Sequence, residues 1–362
     1  MLCLKSHNFT YYIYDEYKNR TLPNGEFYFN KIQYRDKFHI KYFKKNKQWI
    51  QKYGEKVLYS NHPDFSIIKQ KIPGVNCITI KHQLYELIKN KPYTLPYVIF
   101  DIKTNYIQHI KQFILLDNKL WFLKKSGVET YGGYDVFPIY ANNDFVDNLQ
   151  ELIKTSNSNK KYKYNIFVLQ KGVSDPLLLD SKKFDVRMYG LIVFNKTNLY
   201  VYFCKMGIIR KTLKKYNKNN TERDIQLTNT TFNKATLDNI QDYNILTELY
   251  SSEHIYYKYF NEMQSIYTDI IKLAIKYLNT SHEFGYQLLG MDYIINNDGK
   301  IYVLEINKYP AIYYDEDQIK YLHKGLDYKL FDDEFFSLTI EAINNCKFIE
   351  KNTKYYNFVY KS

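Results

Sequence analysis

The segment GMDYIINNDGKIYVLEIN, residues 290–307, constrains this chain more than any other stretch. Asp298-Gly299 lies between two apolar, β-branched runs. Such a dipeptide signals a hairpin, because a type I′ turn needs positive φ at both central positions. With Asp298 and Gly299 there, Asn297 pairs with Lys300, Ile294 faces Val303, and Asp292 faces Glu305. Opposed residues of an antiparallel pair share a face, with Cβ atoms about 5 Å apart. Asn307, two residues beyond Glu305, joins that face. Two carboxylates so placed repel each other, and a hard divalent cation held through oxygen would compensate. The pattern alone leaves open a one-residue slip of register, or neutralisation by Lys and Arg. Both acids lie in otherwise apolar strands, where an unpaired charge is costly, and this favours the metal.

A chain of 362 residues can bury a sizeable core in two or three subdomains. No apolar stretch approaches the length of a membrane span, so no membrane partner is expected. The N-terminal stretch is broken by Lys5, His7 and Asp15 and does not read as a secretion signal. Cys3, Cys77, Cys204 and Cys346 form no CxxC pair, and there is no HExxH, which fits a reducing compartment. The cytoplasm is therefore expected, a host's cytoplasm if the chain is viral. The net charge of +13 invites an acidic partner. Yet 40 Tyr beside abundant Lys, Asn and Ile mark an AT-rich coding genome, so part of that charge is compositional. No nucleic-acid-binding motif accompanies it, and no specific nucleic-acid partner is expected.

Residues 1–60 show no clean periodicity. IPGVNCITIKHQLYELIKN, residues 72–90, has a Pro73-Gly74 turn followed by Leu84, Leu87 and Ile88 at helical spacing. The texture turns β-rich near Tyr97. Strands are expected at Leu120–Leu123, Asn165–Leu169, Val186–Phe194, Leu199–Phe203, Leu288–Ile295 and Ile301–Ile306. Helices are expected at Phe145–Ile153, Met263–Leu278 and Asp333–Cys346, and the polar stretch 211–224 reads as a loop.

With the hairpin ending in Glu305-Ile306-Asn307 and followed by Pro310, the chain resembles the tubulin–tyrosine ligase family. A second block agrees: PLLLDSKKFDVRMY, residues 176–189, is similar to that family's PLLI…KFDIR stretch. Alternation along a strand puts Lys183, Asp185 and Arg187 on one face; without the resemblance, a charged outer face would be the plainer reading. Four shorter runs also match: Trp121-Phe-Leu-Lys124, Val168-Leu-Gln170-Lys171-Gly-Val173, Gly207-Ile-Ile-Arg210 and Leu227-Thr228-Asn229 followed by Asn233-Lys234. The resemblance covers roughly residues 70–325 in the same motif order, and motifs agreeing on one site make coincidence improbable.

The resemblance implies an α/β (α+β), ATP-grasp-like fold, with mixed and antiparallel sheets flanked by helices and preceded by a smaller N-terminal domain. The corresponding divisions are 1–96, 97–172 and 173–362. It implies ATP binding by Lys124, Gly133, Gln170, Lys171, Val173 and Lys183. It assigns Mg²⁺ to Asp292, Glu305 and Asn307, and catalysis to Lys183, Arg187 and Arg210. Substrate contacts fall to Lys183, Asp185, Arg187, Thr228 and Asn229, with Asp185 holding the amino group of a free amino acid. The expected reaction joins Tyr, Glu or Gly to an acidic protein tail such as tubulin's through an acyl phosphate, by a monomer. The alternatives are a polyglutamylase-type member or a catalytically weak tail-binding protein. One departure stands out: Glu129 and Tyr131 occupy the loop where the family carries a basic residue, and an acid there opposes triphosphate binding.

Overall fold

The computed structural model describes residues 2–4, 9–11, 68–69, 72–114, 119–127, 135–157, 165–195, 198–228, 255–278, 284–308, 310, 350, 352–353 and 356–362. The expected helix at Asp333–Cys346 lies outside them, as do Gly133 and Asn229. Strands β1 (Leu2–Leu4) and β2 (Phe9–Tyr11) form an antiparallel pair of their own.

Two sheets carry the rest. The smaller has the order β4 (Tyr97–Asp101), β7 (Ile166–Lys171), β5 (Leu120–Lys125), β6 (Val136–Tyr140), antiparallel throughout. One face carries Val98, Phe100, Leu123 and Phe167, packed with Ile110 of helix α3 (Tyr106–Phe113) and Leu149 of α4 (Phe145–Ser156). Period-two alternation then turns Phe122, Lys124 and Gln170 to the other face.

The larger sheet runs β12 (Ile301–Asn307), β11 (Phe284–Ile295), β9 (Lys182–Asn195), β10 (Asn198–Lys211), β13 (Tyr356–Lys361). Short β3 (Ile68–Lys69) adds to β11 in parallel, and β8 (Leu178–Leu179) pairs with β9. Phe184, Val186 and Met188 face a core shared with α1 (Asn76–Thr79), α2 (Lys81–Leu87) and α6 (Ile255–Ala274). Their neighbours Lys183, Asp185 and Arg187 are buried on the opposite face, as the alternation of β9 requires. The 211–224 stretch is mostly loop and leads into one helical turn, α5 (Arg223–Gln226).

The hairpin differs from expectation in register. Gly299 has φ +84° and Asp298 does not adopt positive φ, so the turn is not type I′. Asn296 N–H donates to the Lys300 carbonyl at 3.0 Å, and Gly299 N–H to the Asn296 carbonyl at 2.9 Å. That closes a three-residue loop ending in left-handed glycine. Ile294 consequently pairs with Tyr302, not Val303. A bulge at Leu304 then adds one residue to β12, and Asp292 faces Glu305 after all.

Gly190 on β9 meets the ring of Tyr267 from α6: a Cβ there would lie 2.5 Å from Tyr267 Cζ. Gly190→Ala should therefore cost about 1–3 kcal/mol through overpacking. Urea titration reads this as a lower midpoint. Adding Tyr267→Leu should recover part of the loss, and unchanged midpoints would show that the sheet can yield there.

Candidate active site

The cleft between the two sheets holds a ladder of buried charge set by strand register. Arg187 on β9 sits opposite Asp292 on β11, and Asp185 on β9 opposite Arg210 on β10. Asp292 is in turn opposite Glu305 on β12, so one face carries charged side chains across four strands, with two acids side by side at its β11–β12 end. Arg187 grips Asp292 with two donors, Nε to Oδ1 and Nη2 to Oδ2, the latter at 2.9 Å. Arg210 Nη2 lies 2.9 Å from the same Oδ2. Arg210 also donates to Asp185 through Nε (2.6 Å) and Nη2 (2.7 Å), and the Thr228 hydroxyl donates to Asp185 Oδ2.

The carboxylates expected to face a bare metal thus have cationic partners as well. Lys81 Nζ is 3.3 Å from Glu305, and Asn307 Nδ2 donates to Glu305 Oε1 at 3.1 Å. Burial alone would raise Glu305, but Lys81 and then Lys124 outweigh it and hold the carboxyl well below the usual glutamate range. Burial opposes both guanidinium charges too, yet Asp292, and for Arg210 also Asp185, overcome it and raise both. Asp292 is different: burial raises its carboxyl despite the two arginines, and Glu305 adds to that.

The lysines are poised the other way. Lys124 donates to Gln170 Oε1 at 2.5 Å and to the Tyr85 hydroxyl at 3.2 Å. Burial lowers it to about 7, with Glu305 pulling back. Lys183 donates to the Gln226 carbonyl at 3.1 Å, and its ammonium lies 4.6 Å from the Phe122 ring centroid. Burial lowers it to about 8 against the pull of Asp185. Lys81, Lys124, Lys183, Arg187 and Arg210 surround Asp185, Asp292 and Glu305. With all ionised, that is two more positive charges than negative.

Beside the charges the cleft becomes apolar. Leu95, Val173 and Ile294 form a small cluster with Tyr302 and Leu304 packed against it. Among the described residues, buried Gln170 Nε2 beside this cluster finds no hydrogen-bond partner. The empty space, solvent mouth included, is about 710 Å³. Lys124, Gln170, Lys171, Val173, Lys183, Asp185, Arg210, Thr228, Asp292 and Glu305 all border it. Arg187 does not line the cleft, and it braces Asp292 from within the sheet.

Sequence reasoning missed Lys81 and Tyr85. Lys81, Leu84, Tyr85 and Ile88 are all buried at i, i+3, i+4, i+7 spacing on or beside α2, so a lysine lies on the apolar stripe. That misplaced charge was the available signal. Ser126, at the end of β5, accepts the His82 backbone N–H at 3.0 Å and ties the start of α2 to the site.

The sequence profile of the tubulin-tyrosine ligase family matches residues 66–342. The chain belongs to that family. Its two sheets and flanking helices are the family's α+β, ATP-grasp-like fold. A protein polyglycylase of Mus musculus is 31% identical over 182 residues, 44% of this chain and 25% of that protein. An inactive polyglycylase of Homo sapiens is 29% identical over 182 residues, 44% of this chain and 26% of its own. A probable alpha-tubulin polyglutamylase of Tetrahymena thermophila is 22% identical over 228 residues, 59% and 53% of the two chains. The match thus spans about a quarter of the polyglycylases and about half of the polyglutamylase.

The family's Mg²⁺ needs hard oxygen donors, and the face shared by Asp292, Glu305 and Asn307 is made of them. Among the described residues no three His, Cys, Asp or Glu converge as a metal cluster. Two carboxylates and an amide suit Mg²⁺, which keeps waters and substrate phosphates in its shell. The upward pressure on Asp292 fits an added cation as well.

Two stability effects follow. Asp292→Ala leaves Arg187 and Arg210 buried without their shared carboxylate and should cost about 3–5 kcal/mol in denaturant unfolding. Glu305 stabilises fully above about pH 4.5, its ordinary value, and that contribution is lost as pH falls below it. Glu305→Gln should therefore flatten the acid limb of stability against pH. An unaltered limb would place that sensitivity elsewhere.

Proposed function

We propose that this chain is an ATP- and Mg²⁺-dependent carboxylate–amine ligase that adds an amino acid to an acidic polypeptide tail, such as that of tubulin. One observation carries the reading: an excess of buried positive charge adjoins an apolar slot where Gln170 Nε2 has no hydrogen-bond partner among the described residues. A nucleoside triphosphate has both chemistries, a flat base with hydrogen-bonding edges and a chain of anionic oxygens. Chelated to Mg²⁺ it carries about two negative charges, matching the excess around the ladder.

In this reading the base lies by Gln170, Lys171 and Val173, and Lys124 and Lys183 meet the phosphates with Lys81 beside them. Gly133 keeps the ATP-binding role that the family resemblance implies. Asp292, Glu305 and Asn307 hold Mg²⁺, whose charge would offset that developing on the transferring phosphoryl group. Arg210 points at the reacting phosphate. Asp185 and Thr228 border the place of the free amino acid, Arg187 supports it from behind Asp292, and Asn229 keeps the substrate contact that the family resemblance implies.

A carboxylate oxygen of the acceptor attacks the γ-phosphorus, the bond to ADP breaks, and an acyl phosphate forms. The amine of the free amino acid then attacks the acyl carbon. Phosphate leaves, a proton is released, and an amide remains. The protein's part is positioning and neutralisation of charge, which the ladder provides in advance. The relatives' names turn the choice of amino acid toward Gly or Glu, with Tyr the remaining candidate. The acceptor is acidic, to suit a chain of net charge +13. Four cysteines without a CxxC pair suit the reducing cytoplasm, and a monomer is the simplest state for such a ligase. A second reading, a tail-binding protein of little catalytic power, draws on Glu129 and Tyr131 and on the inactive human relative.

Incubation with ATP, Mg²⁺, tubulin and labelled Gly, Glu or Tyr in turn decides between them. Incorporation of one label, reduced at least about a hundredfold by Glu305→Gln, supports the ligase. No incorporation with undiminished tail binding supports the binder.

Nucleotide binding should also consume protons. Phosphate charge restores Lys124 and Lys183 from about 7 and about 8 towards their ordinary values, so both take up protons on binding near pH 7–8. ATP affinity then falls as pH rises through that window. Calorimetry in two buffers of different ionisation enthalpy reads the uptake directly, and equal heats would contradict it.

A further inference from the structure

We propose that Tyr85 is a positioning residue for Lys124 and, through it, for the phosphates of the bound nucleotide. The inference rests on the nucleotide reading above and assigns a role in it to a residue of α2.

The Tyr85 side chain is fully buried. Its hydroxyl donates to the Leu304 carbonyl at 2.6 Å, and the same oxygen accepts from Lys124 Nζ at 3.2 Å. A phenol has one proton. With that proton committed to Leu304, only lone pairs remain, and they face the ammonium. Lys124 has two further acceptors, Gln170 Oε1 at 2.5 Å and the Leu304 carbonyl at 3.4 Å. Neutral oxygens from α2, β7 and β12 thus hold the charge, and among the described residues no ion pair engages it. A lysine held this way is oriented without an ion-pair partner among the described residues, and a ligand phosphate can supply one.

Tyr85 is itself fixed independently of Lys124. Its ring stacks on Tyr97 with centroids 5.3 Å apart, and the Tyr97 hydroxyl donates to the Tyr85 carbonyl at 2.9 Å. Leu304 is the extra residue of the β12 bulge, where the ladder is interrupted, and the Tyr85 hydroxyl meets its carbonyl. Closing the bulge needs only the bond to Leu304. The second contact aims the hydroxyl at a lysine lining the cleft, and packing alone does not call for it. Without the hydroxyl, a four-carbon flexible stem would be steered chiefly by Gln170.

The test is a double-mutant cycle on the full chain, reading the ATP dissociation constant by calorimetry with Mg²⁺ present. Tyr85→Phe keeps the ring and its stack. It should weaken ATP about tenfold in the wild-type background, as loss of a hydrogen bond to a charged group does, and less than about twofold beside Lys124→Met. Tyr97→Phe removes the hydrogen bond to the Tyr85 carbonyl without touching Lys124, and should stay within about twofold of wild type. Equal losses from Tyr85→Phe in both backgrounds would make the residue merely structural, and no loss in the wild type would overturn the inference outright. The parent reading fails differently: wild type would bind no ATP, or Lys124→Met would bind it as wild type does.

Discussion

The sharing of Asp292 between Arg187 and Arg210 is the interaction on which the rest of the site depends. It ties three neighbouring strands through one carboxylate, and Asp185 repeats the device one step along β9 and β10. A slip of β9 by one residue would turn Lys183, Asp185 and Arg187 into the core beside Met263 and Ile270. Burying those charges against apolar side chains is prohibitive, so the ladder locks the register that builds the cleft. Such pairs add little net stability, because desolvation cancels most of the attraction. Breaking one is severe for the same reason. The ladder therefore acts as a constraint on geometry more than as a source of stability.

That constraint also explains how a face so rich in charge can be buried. Each acid is held by cations from another strand or helix, and Lys124 and Lys183 take up the remaining field with lowered proton affinity. Both retain neutral acceptors, Gln170 and Tyr85 for one and the Gln226 carbonyl for the other. The site is thus organised before any ligand arrives, with little reorganisation left for the moment of reaction.

Much of this was legible in the sequence because period two is a strict rule. Alternation along KFDVR put three charged side chains on one face, and the Asp-Gly signal found the hairpin. Neutralisation by arginine was left open there as an alternative to a metal, and the structure realises it without removing the oxygen donors. Pairing across β10 could not be read, since the bulge between Phe203 and Gly207 shifts the count by which Arg210 reaches Asp185. Lys81 and Tyr85 escaped for a different reason. A helix residue meets its partner through tertiary packing, and the contact of Tyr85 with Leu304 spans 219 positions.

The hairpin shows how a correct pairing can rest on an incorrect count. A two-residue turn with a regular ladder and a three-residue turn with one bulge both oppose Asp292 to Glu305. The second route does something the first cannot. In a regular ladder the Leu304 carbonyl would either pair with β11 or point along the sheet. At the bulge it meets Tyr85 and lies within reach of Lys124. The irregularity thus joins the acidic end of the cleft to its basic end. Bulges gather beside active sites because they re-aim groups that a regular strand holds fixed. Here the group re-aimed is a main-chain oxygen, which no side-chain pattern could have revealed.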